Sequence, residues 1–512
     1  IDERLKNTLD TNDFQNIYNS TFQLSNFLKK RNLDNLKASR LSLYSRINFQ
    51  GLNEDIERKQ NLISKAENSH KNDFEEIRIL ESKLSARNLG DDQFKKLRNK
   101  LKKLETKFYK KLPQLQPKLF SVKYLADLLP KKSVLLEFQK YQPANNELKN
   151  DSNYQVLLLF PNNDVITVEL GNAKEINEKI KLLNKSIIVG EKAAIEESIF
   201  DLYSIIFEPL NPFLNDSKIL FISPDSDINL VPLNTIKIGE TENYLSDIYE
   251  LNIVANAREL VRILSEKDFK PNKQSIVFSN PDFNLKVKNK NLIKEDQSEY
   301  LRIGSDCKNW NYLDGTIEEG YQIKRLINAK LFTEKEATVG NLKNLNLPPK
   351  ILHLATHGYF CEDDIFSRHP LVKSGVVLAG ANMKDQKEGD DGYLSSLEVS
   401  KLNLKNTELV VLSACNTALG DIETGNGVLG LRRSLSLAGA RSTLLSLWEV
   451  DDFATRAFMT SFYQKLKSGN NLREALIVTQ REFRNGVINS GDPDIDWSEE
   501  FYWGAFQLSG DS

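Results

Sequence analysis

Ile351-Leu352-His353-Leu354-Ala355-Thr356-His357-Gly358 is an apolar run that ends in a histidine and a glycine. Leu409-Val410-Val411-Leu412-Ser413-Ala414-Cys415-Asn416-Thr417 repeats the pattern with a cysteine at its end. Short runs that are nearly all apolar read as strands buried on both faces, as parallel strands must be. In open α/β sheets, chemistry sits at the carboxyl ends of the strands. Two such strands lying side by side would therefore bring His357 and Cys415 to one edge. Further short apolar runs at 133–138, 154–160, 165–170, 218–223, 275–279, 376–379 and 443–447 predict strands. Segments 192–207, 318–328, 428–438, 453–467 and 472–483 predict the helices between them. This alternation defines an α/β fold with a mainly parallel sheet flanked by helices.

Residues 1–118 read differently, as polar helix. Leu97, Leu101, Leu104 and Phe108 share one helical face, and lysines fill much of the remainder. Interspersed acidic residues make that surface a solvated face rather than a nucleic-acid patch. Helical hairpins at the end of a repeat array are expected there. The polar stretch 267–314 reads as a seam between two α/β halves. The expected organisation is thus a helical region over 1–118, a first half over 119–270 and a second over 271–512.

The whole chain of 512 residues carries 69 Lys+Arg and 71 Asp+Glu, for a net charge of −2, and is 40% hydrophobic. That is enough apolar residue for a large core, which excludes a disordered chain. The near-zero charge exerts no global pull on nucleic acid or acidic membrane. No apolar run of about 18 residues predicts a transmembrane helix. The chain begins at Ile1 without an initiator Met or a signal-like apolar core, so a fragment or processed product is expected. Three widely spaced cysteines (307, 361 and 415) suit a reducing cytoplasm better than a disulfide framework.

His353, His357, His369, Cys361 and Cys415 concentrate the chain's rarest reactive side chains in one stretch. A thiol with an ordinary pKa near 8.5 is mostly protonated at neutral pH and needs a neighbouring imidazole to become a nucleophile. The acyl intermediate then needs backbone N–H donors, and Gly358 lets a carbonyl approach closely. The bland alternative is a buried structural thiol and a hydrogen-bonded core histidine. Two rival chemistries use the same region. Gly425, Gly427 and Gly430, with Glu449 further on, fit a dinucleotide fingerprint, but nine residues separate Cys415 from Gly425 where the strand should lead in directly. His353, His357 and Cys361 fall four apart, but the flanks read as strand, and Leu354 stands where a zincin needs Glu. Neither metal nor cofactor is required by the thiol–imidazole chemistry.

These segments closely resemble the CHAT domain, a caspase-like cysteine peptidase family often attached to tetratricopeptide repeats. The resemblance rests on His353–Gly358, on Leu412 through Gly420, on Gly425-Asn426-Gly427-Val428-Leu429-Gly430 and on Ala438-Gly439-Ala440-Arg441-Ser442. It closes with Ser446-Leu447-Trp448-Glu449-Val450-Asp451-Asp452 and Tyr502-Trp503-Gly504-Ala505-Phe506, and spans roughly 119–510. It implies His357 as general base, Cys415 as nucleophile, and the backbone N–H groups of Gly358 and Cys415 as oxyanion donors. It also implies that the first half is a caspase-like domain without a dyad, and 119–306 indeed holds neither His nor Cys. Ser413-Ala414-Cys415 replaces the Gln-Ala-Cys of caspases, so aspartate specificity is not expected. The Trp448–Asp452 segment resembles the separase segment that supplies an acidic S1 residue. Ser413, Trp448, Asp451 and Asp452 are therefore the candidate specificity residues, set against the alternative that an aspartate caps the following helix. The implied activity is endopeptidase cleavage of a protein substrate, gated by a regulatory protein or RNA-guided complex through the helical region in a bacterial defence or regulatory pathway. A catalytically silent scaffold is the competing class.

Overall fold

The computed structural model describes residues 35–52, 54–59, 118–143, 152–266, 269–285, 310–360, 371, 374–383, 390–413, 421–423 and 427–511, with short pieces between 76 and 104. Each of the nine runs read as strands contains or overlaps a strand, the run 376–379 only at Val376 and Val377. In chain order the strands are β1 (Ser133–Tyr141), β2 (Asn153–Leu159), β3 (Val165–Asn172), β4 (Ile219–Ser223), β5 (Glu250–Ile253), β6 (Ile276–Pro281), β7 (Lys330–Glu334) and β8 (Ile351–Ala355). There follow β9 (Gly358–Phe360), β10 (Ser374–Val377), β11 (Tyr393–Ser395), β12 (Leu409–Ser413), β13 (Asp421–Glu423), β14 (Gly427–Leu429), β15 (Ser442–Ser446) and β16 (Phe506–Gly510).

Among the described residues, eleven of these form one sheet in the order β3-β2-β1-β4-β5-β16-β15-β12-β8-β6-β7. The block β1-β4-β5-β16 is parallel, and so is the block β15-β12-β8-β6-β7. The two blocks run in opposite directions, because β16 pairs antiparallel with β15. β2 and β3 add an antiparallel meander at one edge. β9, β10 and β11 form a separate small sheet beyond the end of β8.

Alternating side chains give the sheet two apolar faces. On the first face, Val134, Leu136 and Phe138 of β1 join Ile351, Leu409, Val411 and Leu444 of the second block in one continuous core. It is covered by α3 (Ala173–Val189), α4 (Lys192–Leu202), α8 (Asp452–Lys467) and α9 (Leu472–Arg484), with Ile323 of α6 (Asp314–Ile327). α3 shows how locally these boundaries are set. The Asn172 side chain accepts from the N–H groups of Lys174 and Glu175, and Gly190 ends the helix in the left-handed conformation at φ 78°.

The second face is divided. Leu135, Leu157 and Phe221 pack under α1 (Asn35–Phe49), α2 (Val122–Leu128) and α5 (Ala257–Ser265). Phe278, Leu352, Leu354, Val410 and Leu412 pack under α7 (Leu431–Ala438). The sequence reading of 428–438 as one helix is corrected here: Gly427–Leu429 pairs with Asp421–Glu423 as a hairpin, and the helix starts only at Leu431.

α1 is tied to the first block by charge. Its Arg46 is fully buried, with Nε 2.9 Å from Glu137 Oε1, Nη1 3.2 Å from Asp225 Oδ2, and Nη2 donating to the Phe138 carbonyl at 2.7 Å. Burial pushes the Glu137 carboxyl up, against the lowering pull of Arg46. Removing one member of such a group strands charges in the interior, at a cost of roughly 3–5 kcal/mol. Arg46→Ala is expected to lose about that much stability, read as a lower urea midpoint at pH 7. A midpoint within experimental error of wild type would show that α1 is not held by this group.

Candidate functional site

β12 lies between β8 and β15, and its register sets the geometry of the sheet's carboxyl edge. Ser413 stands opposite Ala355, Leu412 opposite Leu354 and Leu445, and the Thr356 N–H donates to the Ser413 carbonyl at 3.3 Å. His357 is two residues past Ala355. Cys415 is two residues past Ser413 and lies outside the described residues, as do Cys307, Cys361, His369 and Gly425.

His357 is half-buried in an aromatic slot, with ring centroids 5.4 Å from Phe283 and 5.2 Å from Trp310. Its Nε2 lies 2.8 Å from the Asn311 main-chain carbonyl. A carbonyl only accepts, so Nε2 carries the proton and Nδ1 holds the lone pair of the neutral ring. Desolvation pulls the imidazole pKa below its ordinary value, opposed by the Asn311 carbonyl and the Glu449 carboxylate. The ring is therefore neutral, and a proton acceptor, at pH 7. Asn382 anchors the main chain of Trp310, the residue before Asn311, from both sides. Its Oδ1 accepts from the Trp310 N–H at 2.8 Å, and its Nδ2 donates to the Trp310 carbonyl at 2.9 Å.

Gly358 begins β9, the outer strand of the small sheet. The Val377 N–H donates to the His357 carbonyl at 2.9 Å, which makes His357 and Val377 a hydrogen-bonded pair. Pairs alternate along antiparallel strands. Gly358 and its partner Val376 are consequently a non-bonded pair, and the Gly358 N–H turns away from β10.

A narrow cavity of about 20 Å³ lies at the ends of β8, β12 and β15; a single water needs roughly 10–15 Å³. Thr356, Ser413 and Ser446 line it from the strand ends, and Thr316, Glu319 and Asp452 from the N-terminal parts of α6 and α8. The Ser413 hydroxyl is buried with no partner among the described residues. The two aspartates divide: Asp451 caps α8, its Oδ1 accepting from the N–H groups of Phe453 (3.0 Å) and Ala454 (2.9 Å). Asp452 instead faces the cavity, where burial, then Asp451 and Glu319, push its carboxyl up to about 6. Trp448 does not line the cavity; it is buried in the first-face core and donates from Nε1 to the Phe501 carbonyl at 2.9 Å.

His353 lies beneath the site with both ring nitrogens engaged, Nε2 with Glu319 Oε1 at 3.0 Å and Nδ1 with the Tyr463 hydroxyl at 3.1 Å. It is thus held as a fixed support, not aimed at a shared ion with His357. The hairpin β13–β14 stands between β12 and α7, so the glycines at 427 and 430 do not form the direct strand-to-helix turn that a dinucleotide fingerprint requires. Phe283, Trp310, Asn311 and Glu319 were not singled out from sequence.

The site thus belongs to a doubly covered α/β protein with a histidine at a parallel strand end. Residues 196–511 match the family model described as "CHAT domain", well over half of the chain, and the chain belongs to that family. Tetratricopeptide repeat protein 28 of Homo sapiens is 22% identical over 337 residues, covering 60% of this chain and 13% of the human protein. The Mus musculus protein is 35% identical over 196 residues, covering 33% of this chain and 8% of the mouse protein. The chain therefore spans a small fraction of these relatives. Among solved structures, the Saccharomyces cerevisiae separase–securin complex at 3.0 Å aligns with 84% of this chain and 32% of that one, at 12% identity and a TM-score of 0.42. The complex of Porphyromonas gingivalis RgpB pro- and mature domains aligns with 66% of this chain and 76% of that one, at 9% identity and a TM-score of 0.33. Among the described residues, no helix is long and apolar enough to cross a membrane.

Asp452 makes the stability of this edge depend on pH. The folded carboxyl keeps its proton up to about 6, whereas an ordinary aspartate releases it near 3.8. Between those values the folded state binds more protons than the unfolded one, so this contribution falls as pH rises. Asp452→Asn is expected to flatten the decline of the urea midpoint between about pH 4 and 7. Parallel profiles for wild type and variant would place Asp452 in solvent.

Proposed function

We propose that this chain is a cysteine endopeptidase in which Cys415 is the nucleophile and His357 the general base. The observation that carries the reading is the β8–β12 register. Ser413 is paired with Ala355, and Cys415 follows Ser413 in sequence by the same two residues by which His357 follows Ala355, which supports pairing the two side chains. His357 Nδ1 takes the thiol proton, and the thiolate attacks the scissile carbonyl carbon. The resulting oxyanion is received by the Gly358 and Cys415 N–H groups. Collapse of the intermediate expels the amine, protonated by His357, and water then hydrolyses the thioester with His357 again as base. Residues 119–270 act as a scaffold half without a dyad, and 271–512 as the catalytic half.

Asp452 is the specificity residue, with Ser413 beside it. Asp452 lines the cavity beside Ser413, and an ionised Asp452 offers a charge-assisted contact to Lys or Arg at the cleavage position. Asp451 serves the helix instead. A regulatory protein, or an RNA-guided complex in a cytoplasmic bacterial defence pathway, gates the enzyme by docking on the helical region before 118.

Cleavage of a peptide library should favour Lys or Arg, and both Cys415→Ala and His357→Ala should lose at least about 1,000-fold in kcat/KM with the fold retained. Asp452→Asn should lose about tenfold on basic substrates alone. Undiminished cleavage by Cys415→Ala would refute the assignment. Failure of the intact chain to react with thiol-directed peptide warheads would favour a silent scaffold.

A further inference from the structure

The second face is divided between two apolar clusters. β16 turns Phe506 and Leu508 into the first-face core, and the Gln507 side chain accepts from Arg432 of α7. A cavity of about 60 Å³ lies between residues 51–58, α5 and α7. On the same measure a water takes roughly 10–15 Å³, so the space exceeds a single solvent molecule.

Arginines from three separate stretches converge there: Arg58, Arg258 and Arg262 of α5, and Arg432 and Arg433 of α7. Three carboxylates also line the cavity, and each is already committed. Asp55 contacts Arg258 at 3.0 Å and Arg58 at 3.5 Å, and Glu54 contacts Arg433 at 3.1 Å. Glu259 contacts Arg262 at 3.2 Å and also accepts from the Ser436 hydroxyl and the Ala255 N–H. With Lys59 on Asp55 at 3.1 Å and Glu266 3.6 Å from Arg262 at the margin, six cations face four carboxylates.

The surplus is specific. Arg258 Nη1, Arg432 Nε and Arg433 Nε are buried donors with no hydrogen-bond partner among the described residues. Arg258 is 3% exposed and Arg432 8%. Arg432 donates to the Gln507 side chain, a neutral partner, and among the described residues the charge that draws it is the Glu259 carboxylate, already bound to Arg262. Buried idle donors and an unmatched buried cation are standing costs that a ligand relieves.

We propose that this cavity is a binding site for a small phosphate-bearing anion, held by Arg258, Arg432 and Arg433. A phosphate carries close to two negative charges and three acceptor oxygens, which matches two surplus positive charges and three idle donors. Guanidinium forks suit tetrahedral oxyanions, and a single carboxylate would leave one charge unmatched. Such a ligand joins residues 51–58, α5 and α7. α7 follows the β13–β14 hairpin that comes after Cys415 in the chain, so the ligand would tie residues 51–58 and α5 to the helix that ends this stretch. The site needs no peptidase activity and is read without it.

Calorimetric titration and thermal unfolding of the full chain, at fixed ionic strength, test the proposal with inorganic phosphate, pyrophosphate and ATP, with acetate as control. Saturable binding of one equivalent and a Tm that climbs with ligand concentration are expected. The tightest of the three identifies whether free phosphate or a phosphoester is the source. Arg433→Gln, at a partly exposed position, should weaken binding at least tenfold, and Arg432→Gln should do the same if circular dichroism shows it folded. Arg325→Gln, on an exposed face of α6, should bind as wild type. No saturable binding up to about 10 mM of any phosphate, an equal effect of acetate, or unchanged affinity in Arg433→Gln would overturn the proposal.

Discussion

The pairing of β12 between β8 and β15 is the constraint on which the site depends. All three strands are buried along their whole length. A slip of one residue would turn every side chain to the opposite face, driving the residues of one core into the other. Register is therefore determined by apolar packing far from any chemistry. Once it is set, His357, Ser413 and Ser446 fall at one edge, and residues of α6 and α8 line the cavity over Ser413 and Ser446. The geometry of the site is in this sense a by-product of core packing.

What sequence reveals follows the same physics. β8 and β12 were legible because strands covered on both faces are continuously apolar. β5 (ELNI), β7 (KLFTE) and β16 (FQLSG) were not, because each mixes polar residues into a short run. β7 is a sheet edge, and the Gln507 side chain of β16 accepts from Arg432. Asn311 was invisible for a different reason: it serves through its main-chain carbonyl, so its side-chain type carries no signal. Glu319 looks like Glu318 in sequence, yet one is buried against His353 and the other is exposed against Arg325. The adjacent aspartates at 451 and 452 could not be told apart until the helix start was known to within one residue.

Two buried arginines show how differently the fold treats the same group. Arg46 meets two carboxylates and a carbonyl, so its burial is matched within the chain. Arg432 meets a glutamine. The first sits inside a single core. The second sits where the core is interrupted, between α5 and α7. Interior charge is completed where packing is continuous and left open where the two blocks adjoin.

The position of β16 has a consequence for synthesis. It is built from residues 506–510, yet it lies in the middle of the sheet, between β5 and β15. At a translation rate of about 5–20 residues per second, β5 and β15 wait as unsealed edges until that stretch leaves the ribosome. The continuous first-face core, and with it the floor of the cleft, cannot close before then. A sheet built this way leaves the edge that carries the site unassembled beside other nascent chains until residue 510 has emerged.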